Sequence, residues 1–263
     1  MKSKPSSKAP PPAPAKRKSR TAGAASRSLA EAAYEAIWRD ILTLTLHPGQ
    51  KMSEAMLSDR FGFGKAPIRA ALARLVQEGL VENHLRGGHM VAPITLADIQ
   101  GLYHLRRMTL GEAVRMACGA VTDELRRAYE RVANLEFAGA TSDVILAFCF
   151  NNRDFTVALG RAAGNPLLAT WITSLEDRFL RLLFLGVRSN PSADLYQADY
   201  RRIWSALEAG RAEDARKAML EALAVSEKII TDAVLGMPEL RTLNLGDLLG
   251  PAAGERGKTP AKP

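Results

Sequence analysis

Lys65 and Arg69 stand four residues apart, interleaved with Ala66, Ala70 and Ala73. On a helix, residues at i and i+4 share a face. A face of two cations and small side chains can enter a major groove. There arginine forks onto a guanine edge, and lysine meets a guanine or a phosphate. Arg74 follows on the same stretch and joins this set. Arg86 lies in the run Leu85-Arg86-Gly87-Gly88, where two glycines allow a tight turn and a cation can reach phosphate or the minor groove. The candidate DNA-reading residues are therefore Lys65, Ala66, Arg69, Ala70, Arg74, Arg86, Gly87 and Gly88. Spacing alone suits an ordinary solvated cationic face equally well.

Arg106 and Arg107 form a second cationic pair. A guanidinium matches a carboxylate in shape, so either arginine can clamp an organic acid or close an ion pair between helices. Catalysis finds no support. The chain has no HExxH, P-loop or GxSxG motif, and no GxGxxG in a suitable unit. The acid pairs Glu176-Asp177 and Glu213-Asp214 are adjacent on helical stretches, so they point apart and read as solvated faces. Cys118 and Cys149 have no nearby cysteine partner, which argues against a disulfide scaffold and fits a reducing compartment. No apolar run approaches the length of a membrane span, and the N-terminus lacks the apolar core of a secretory signal.

The elements that must position these residues can be read from periodicity. Residues 28–44 predict a helix capped by Ser28, with Leu29, Ala33, Ile37, Ile41 and Leu44 on one face. His47-Pro48-Gly49 breaks it. Ser53 caps a short helix from Glu54 to Phe61, and Gly62 closes it. A third helix follows Gly64 and runs to about Glu78, burying Ile68, Leu72, Leu75 and Val76. Two β-prone pieces, 80–84 and 89–92, flank the glycine turn. After Pro93 the sequence predicts helices near 96–118, 123–138, 143–163, 166–187, 193–209 and 213–235. Thr95, Thr122, Ser142 and Ser192 serve as caps, and Gly139, Gly164 and Gly210 as stops. The fold class is mainly α, with an N-terminal winged helix-turn-helix at 28–93 and a C-terminal all-α antiparallel helical bundle at 94–235.

The charge is uneven. Net charge is +8, and residues 1–27 carry eight cations and no acid. The rest of the chain, with 28 basic and 28 acidic side chains, is neutral. The tail is rich in Pro, Ala and Ser, which predicts a disordered basic arm able to touch phosphates or simply to aid solubility. Residues 236–263 predict a second loose tail.

The runs Ile41 to Glu54, Leu57 to Gly62, Pro67 to Leu75 and Glu78 to Val81 resemble the GntR-type bacterial transcription regulators. The resemblance implies a dimeric winged helix on a short palindromic operator, with Arg69 on the base-reading arginine. Where that family has Ser/Thr-Arg-Thr, this chain has Gly64-Lys65-Ala66, so the capping hydroxyls are absent and lysine replaces arginine. The wing reads Leu-Arg-Gly-Gly where Pro-Gly-Arg-Gly is usual. Leu102 to Arg107, Ala162 to Leu168 and Ile203 to Gly210 resemble the FCD effector domain of the FadR-like branch. That resemblance implies a dimerising bundle with a small-molecule pocket, and in many members a metal held by one Asp and three His. Those four positions fall on Asn152, Thr156, Tyr200 and Ala222, so the expectation is a metal-free bundle with no cofactor. The histidines present are His47, His84, His89 and His104.

The expected effector pocket comprises Arg106, Arg107, Asn152, Thr156 and Tyr200. Phe148, Phe150, Phe155, Trp171, Phe179, Phe184 and Trp204 read as core or dimer packing. The function expected is sequence-specific DNA binding by a cytoplasmic, nucleoid-associated homodimer. It acts as a repressor sensing a small organic, anionic metabolite, with no membrane partner and no enzymatic activity. The alternative is an effector-independent DNA-binding protein with a degenerate sensor.

Overall fold

The computed structural model describes residues 19–83, 88–134, 141–191 and 193–237. Expectations for the first eighteen residues, Arg86, Gly87, the stop at Gly139, the cap at Ser192 and the tail beyond 237 lie outside them.

The first unit contains α1 (Ser19–Leu42), β1 (Lys51–Met52), α2 (Glu54–Phe61), α3 (Lys65–Gln77), β2 (Val81–Asn83) and β3 (His89–Val91). α1 starts well before Ser28, so Ser28 lies inside the helix and caps nothing, and residues 19–27 are helical where a disordered arm was expected. Leu29 is exposed, while Ala33, Ile37 and Ile41 enter the core. Leu44 adopts a left-handed φ of 59°, which ends the helical path earlier than the periodicity suggested. Ser53 accepts from Met56 N, and Gly62 closes α2 at φ 72°, a conformation in which glycine carries no Cβ penalty. Gly64 caps α3 with no side chain to accept an amide hydrogen.

The three strands form one antiparallel sheet in the order β1-β3-β2, with Val81 opposite Val91 and Lys51 opposite Met90. β1 was missed in the sequence because two residues show no alternation. Ile37, Ile41, Leu46, Leu57, Ile68, Leu72, Leu75 and Val91 close a core of their own, with Val76 at its edge.

The second unit is α4 (Leu96–Ala117), α5 (Asp123–Ala133), α6 (Ser142–Ala162), α7 (Pro166–Ser189), α8 (Ala193–Glu208) and α9 (Ala212–Gly236). Thr95 and Asp98 form a reciprocal capping box on α4. Thr141, one residue before the expected Ser142, caps α6. α5 is described only to Ala133, short of the expected end at 138. Asn165 caps α7, with Pro166 at the first turn, where its missing N–H costs nothing. α6 packs on α7 and α4 packs on α9. Close approach depends on small residues: a Cβ on Gly186 would meet Ile230 Cγ1 at 2.7 Å. Phe148, Phe155, Phe179 and Phe184 are fully buried here, whereas Trp171 is 66% exposed.

The two units are joined by more than the chain. Trp38 of α1 stacks on Phe150 of α6 at 5.8 Å, and Arg39 pairs with Asp143. Leu42 and Leu44 belong to the bundle core. Arg181 of α7 donates to the carbonyls of Ala92 at 2.7 Å and Pro93 at 3.0 Å, spanning the link between the units. Burial pulls the Arg181 pKa down to about 10, so it stays charged at neutral pH.

Candidate functional site

Two surfaces gather the residues with chemistry. The first is the outer face of α3. Ile68, Ala71, Leu72 and Leu75 fix the helix against the core. That leaves Lys65, Ala66, Arg69, Ala70 and Ala73 exposed along the opposite side. The Arg69 side chain is 70% exposed and bonds Glu54 through both Nε and Nη2 at 2.9 Å. Glu54 opens α2, so the helix-turn-helix itself holds the guanidinium extended. Its carboxyl lies below the usual range because Arg69 hydrogen-bonds it. Gly88, at φ 149°, begins the return into β3.

Arg74, also exposed, makes contacts within the protein. It reaches back to Glu31 of α1 and to Glu78, with its guanidinium 3.6 Å from the Tyr34 ring centre. It sits at the edge of the exposed face and ties α3 to α1.

The second surface is a small, partly open cavity of about 60 Å³ in the bundle. Asn152, Thr156, Tyr200 and Ala222 all line it, as does Arg106. Four positions spread over three helices thus meet at one place. Phe155, Phe179, Leu183, Ile203, Met219 and Leu223 supply the apolar wall. The Tyr200 hydroxyl donates to Asn152 Oδ1 at 2.6 Å, and burial keeps that phenol protonated. Thr156 donates to the carbonyls of Asn152 and Arg153 within its own helix. Tyr103 shares a 2.6 Å hydrogen bond with Ser226 at the cavity edge.

This donor set does not fit a divalent ion. Ala222 offers nothing, Asn152 Oδ1 is engaged by Tyr200, and the Thr156 hydroxyl is turned to the backbone. Among the described residues no cluster of three His, Cys, Asp or Glu is assembled.

Two expectations are corrected. Arg107 does not line the cavity; it pairs with Glu227 at 2.5 Å on a half-exposed face. Arg106 does line it, but its carboxylate partner belongs to the protein. Glu176 accepts from Arg106 Nε at 2.8 Å and Nη2 at 3.2 Å, and the two side chains are 3% and 1% exposed. Glu176 was read as a solvated acid; it is the buried counter-ion of the bundle. Only Asp177 beside it is exposed, bonding Arg153. The Arg106 guanidinium also lies 3.4 Å from the Phe179 ring centre. The i,i+3 or i,i+4 pairs that sequence can weigh do not include a partner 70 residues away.

A winged helix with an exposed cationic recognition face, followed by a helical bundle around a cavity, defines a DNA-binding transcription regulator. The comparisons give the family. Residues 29–91 match the model of bacterial regulatory proteins of the gntR family, and residues 101–225 match the FCD domain. A relative in Streptomyces ambofaciens, an HTH-type transcriptional regulator in an unstable DNA locus, is 30% identical over 183 residues. That match covers 68% of this chain and 75% of the relative. The HTH-type transcriptional repressor GlaR of Escherichia coli is 24% identical, over 59% of this chain and 72% of its own. The crystal structure of a GntR-type regulator from Rhodococcus sp. RHA1 superposes with a TM-score of 0.63 at 22% identity, covering 80% of this chain and 99% of that one. The chain belongs to the GntR family and carries an FCD effector domain. No helix among the described residues is long and apolar enough to cross a membrane.

Proposed function

We propose that this regulator is a homodimeric repressor. Two α3 helices read a palindromic operator, and a small organic effector in the bundle cavity alters their spacing. The observation that carries the reading is the α3 face, where Lys65 and Arg69 project among alanines with Arg69 held by a forked bond to Glu54. Kinship with repressors supports the sign of regulation. Exposed Leu105 and Met108 on α4 and Leu167 and Trp171 on α7 support a second copy covering that side.

A route from cavity to DNA lies along α7. That helix supplies Phe179 and Leu183 to the cavity wall, Glu176 to Arg106, and Arg181 to the interdomain carbonyls. A ligand that shifts α7 would shift the winged helix with it. The small cavity volume, about 60 Å³, favours the effector-independent alternative, while the polar residues that still line it favour the effector reading. The anionic character expected of the effector loses its basis in Arg106, whose guanidinium is already paired with Glu176.

The selected operator placed across a reporter promoter tests the repressor reading. Expression of the protein should lower output severalfold, and the variant Arg69→Ala should restore it. Raised output would make the protein an activator.

A further inference from the structure

Two hydrogen-bond donors on the cavity wall have no acceptor among the described residues: Arg106 Nη1 and Asn152 Nδ2. Both residues are more than nine-tenths buried, at 3% and 7% exposed. Buried polar groups in folded proteins find partners, so two unpaired donors on one cavity point to an acceptor brought by a ligand. The orientation of Asn152 follows from its neighbour. The Tyr200 hydroxyl gives its proton to Oδ1, which turns the amide nitrogen away from that bond.

The charge balance decides what kind of acceptor. Arg106 is already neutralised by Glu176 through two hydrogen bonds. Asp199 also borders the cavity, and its countercharge, Arg202, stands half-exposed behind it. Burial holds the Asp199 carboxyl above the usual carboxylate range. The wall therefore presents one guanidinium and one carboxylate, each already paired, Arg106 with Glu176 and Asp199 with Arg202, so no positive charge is in surplus. An organic anion entering it would lose hydration and meet no surplus positive charge. A neutral carbonyl oxygen meets two donors at no such cost.

We infer that the cavity takes an uncharged carbonyl compound, such as an amide, ester, lactone or ketone with an apolar body, whose oxygen accepts from Asn152 Nδ2 and Arg106 Nη1. This rests on the effector reading above and names the chemical class of the effector. The apolar body packs against Phe155, Phe179 and Met219.

The test uses full-length protein and matched pairs that share a carbon frame: benzamide with benzoate, phenylacetamide with phenylacetate, and a γ-lactone with its opened hydroxy acid. Saturation-transfer NMR and thermal shift at pH 7.5, where the acids are ionised, read binding. The neutral member of at least one pair should bind and raise the melting temperature, with its acid at least tenfold weaker. Asn152→Asp keeps an acceptor for Tyr200 but replaces the amide donor, and it should weaken the neutral fragment at least tenfold. Asn152→Leu should do the same if it folds; the aspartate variant decides the matter if it does not. An acid that binds as tightly as its neutral partner overturns the inference and leaves the cavity an effector site. A neutral fragment that binds wild type and Asn152→Asp equally also overturns it. Binding by none of the fragments, with operator binding intact, removes the sensor and leaves DNA reading standing.

Discussion

At the scale of single residues, the proposed reading of DNA rests most on Arg69. Its bond to Glu54 has two consequences: it extends the guanidinium in advance, and DNA must replace the carboxylate with a base edge. Arg69→Ala should cost about 1–3 kcal/mol on the preferred site and much less on a site mismatched at the contacted base. Fluorescence anisotropy on matched and mismatched duplexes measures this. Equal loss on both would make Arg69 a phosphate contact. The arginines show where sequence reading stops. Arg69 was legible because its neighbours on the helix are alanines and its inward-facing partners are periodic. Arg106 was found as a cavity residue, but Glu176 was missed as its partner. Adjacency to Asp177 suggested a solvated pair, and only the fold reveals that α4 and α7 bring Arg106 and Glu176 together.

At the scale of elements, some caps and stops follow directly from side-chain type, although Ser28 and Ser142 cap nothing. Ser53, Thr95 and Thr122 cap as their types require, and Gly62, Gly164 and Gly210 hold the positive φ that stops need. The start of α1 was misplaced, because an Ala- and Ser-rich stretch has helical propensity without an apolar face to reveal it. The role of α7 in joining the units was not legible either, since Arg181 bonds backbone carbonyls that have no sequence signature. Arg181→Ala should destabilise the protein by about 1.5–3 kcal/mol, the range for hydrogen bonds to a charged donor. It should also speed amide exchange at Ala92, whose N–H bonds Leu80 O in the strand region below the link. Arg181→Lys should recover only part of this, because one ammonium nitrogen cannot match the two separate guanidinium nitrogens that serve these carbonyls. Unchanged exchange at Ala92 would show that the link does not depend on Arg181.

At the scale of the whole molecule, the charge is uneven along the chain. Six of the eight N-terminal cations precede Ser19. Removing residues 1–18 leaves α1 whole, and it should lower the slope of log K against log salt by at most about 5, at roughly 0.9 per phosphate contact. Discrimination between operator and random DNA should be unchanged if the tail meets only phosphates, which carry no sequence. An unaltered slope would mean the arm does not meet DNA. The central claim is that the α3 face selects a sequence and does more than attract phosphate. The most direct measurement is selection of duplexes from a random library by the full-length protein, followed by affinities for the winner and a scrambled duplex at one salt concentration. The account expects enrichment of a palindrome that binds at least about a thousandfold tighter than the scramble. No enriched sequence, or equal affinities that both collapse with salt, would contradict it.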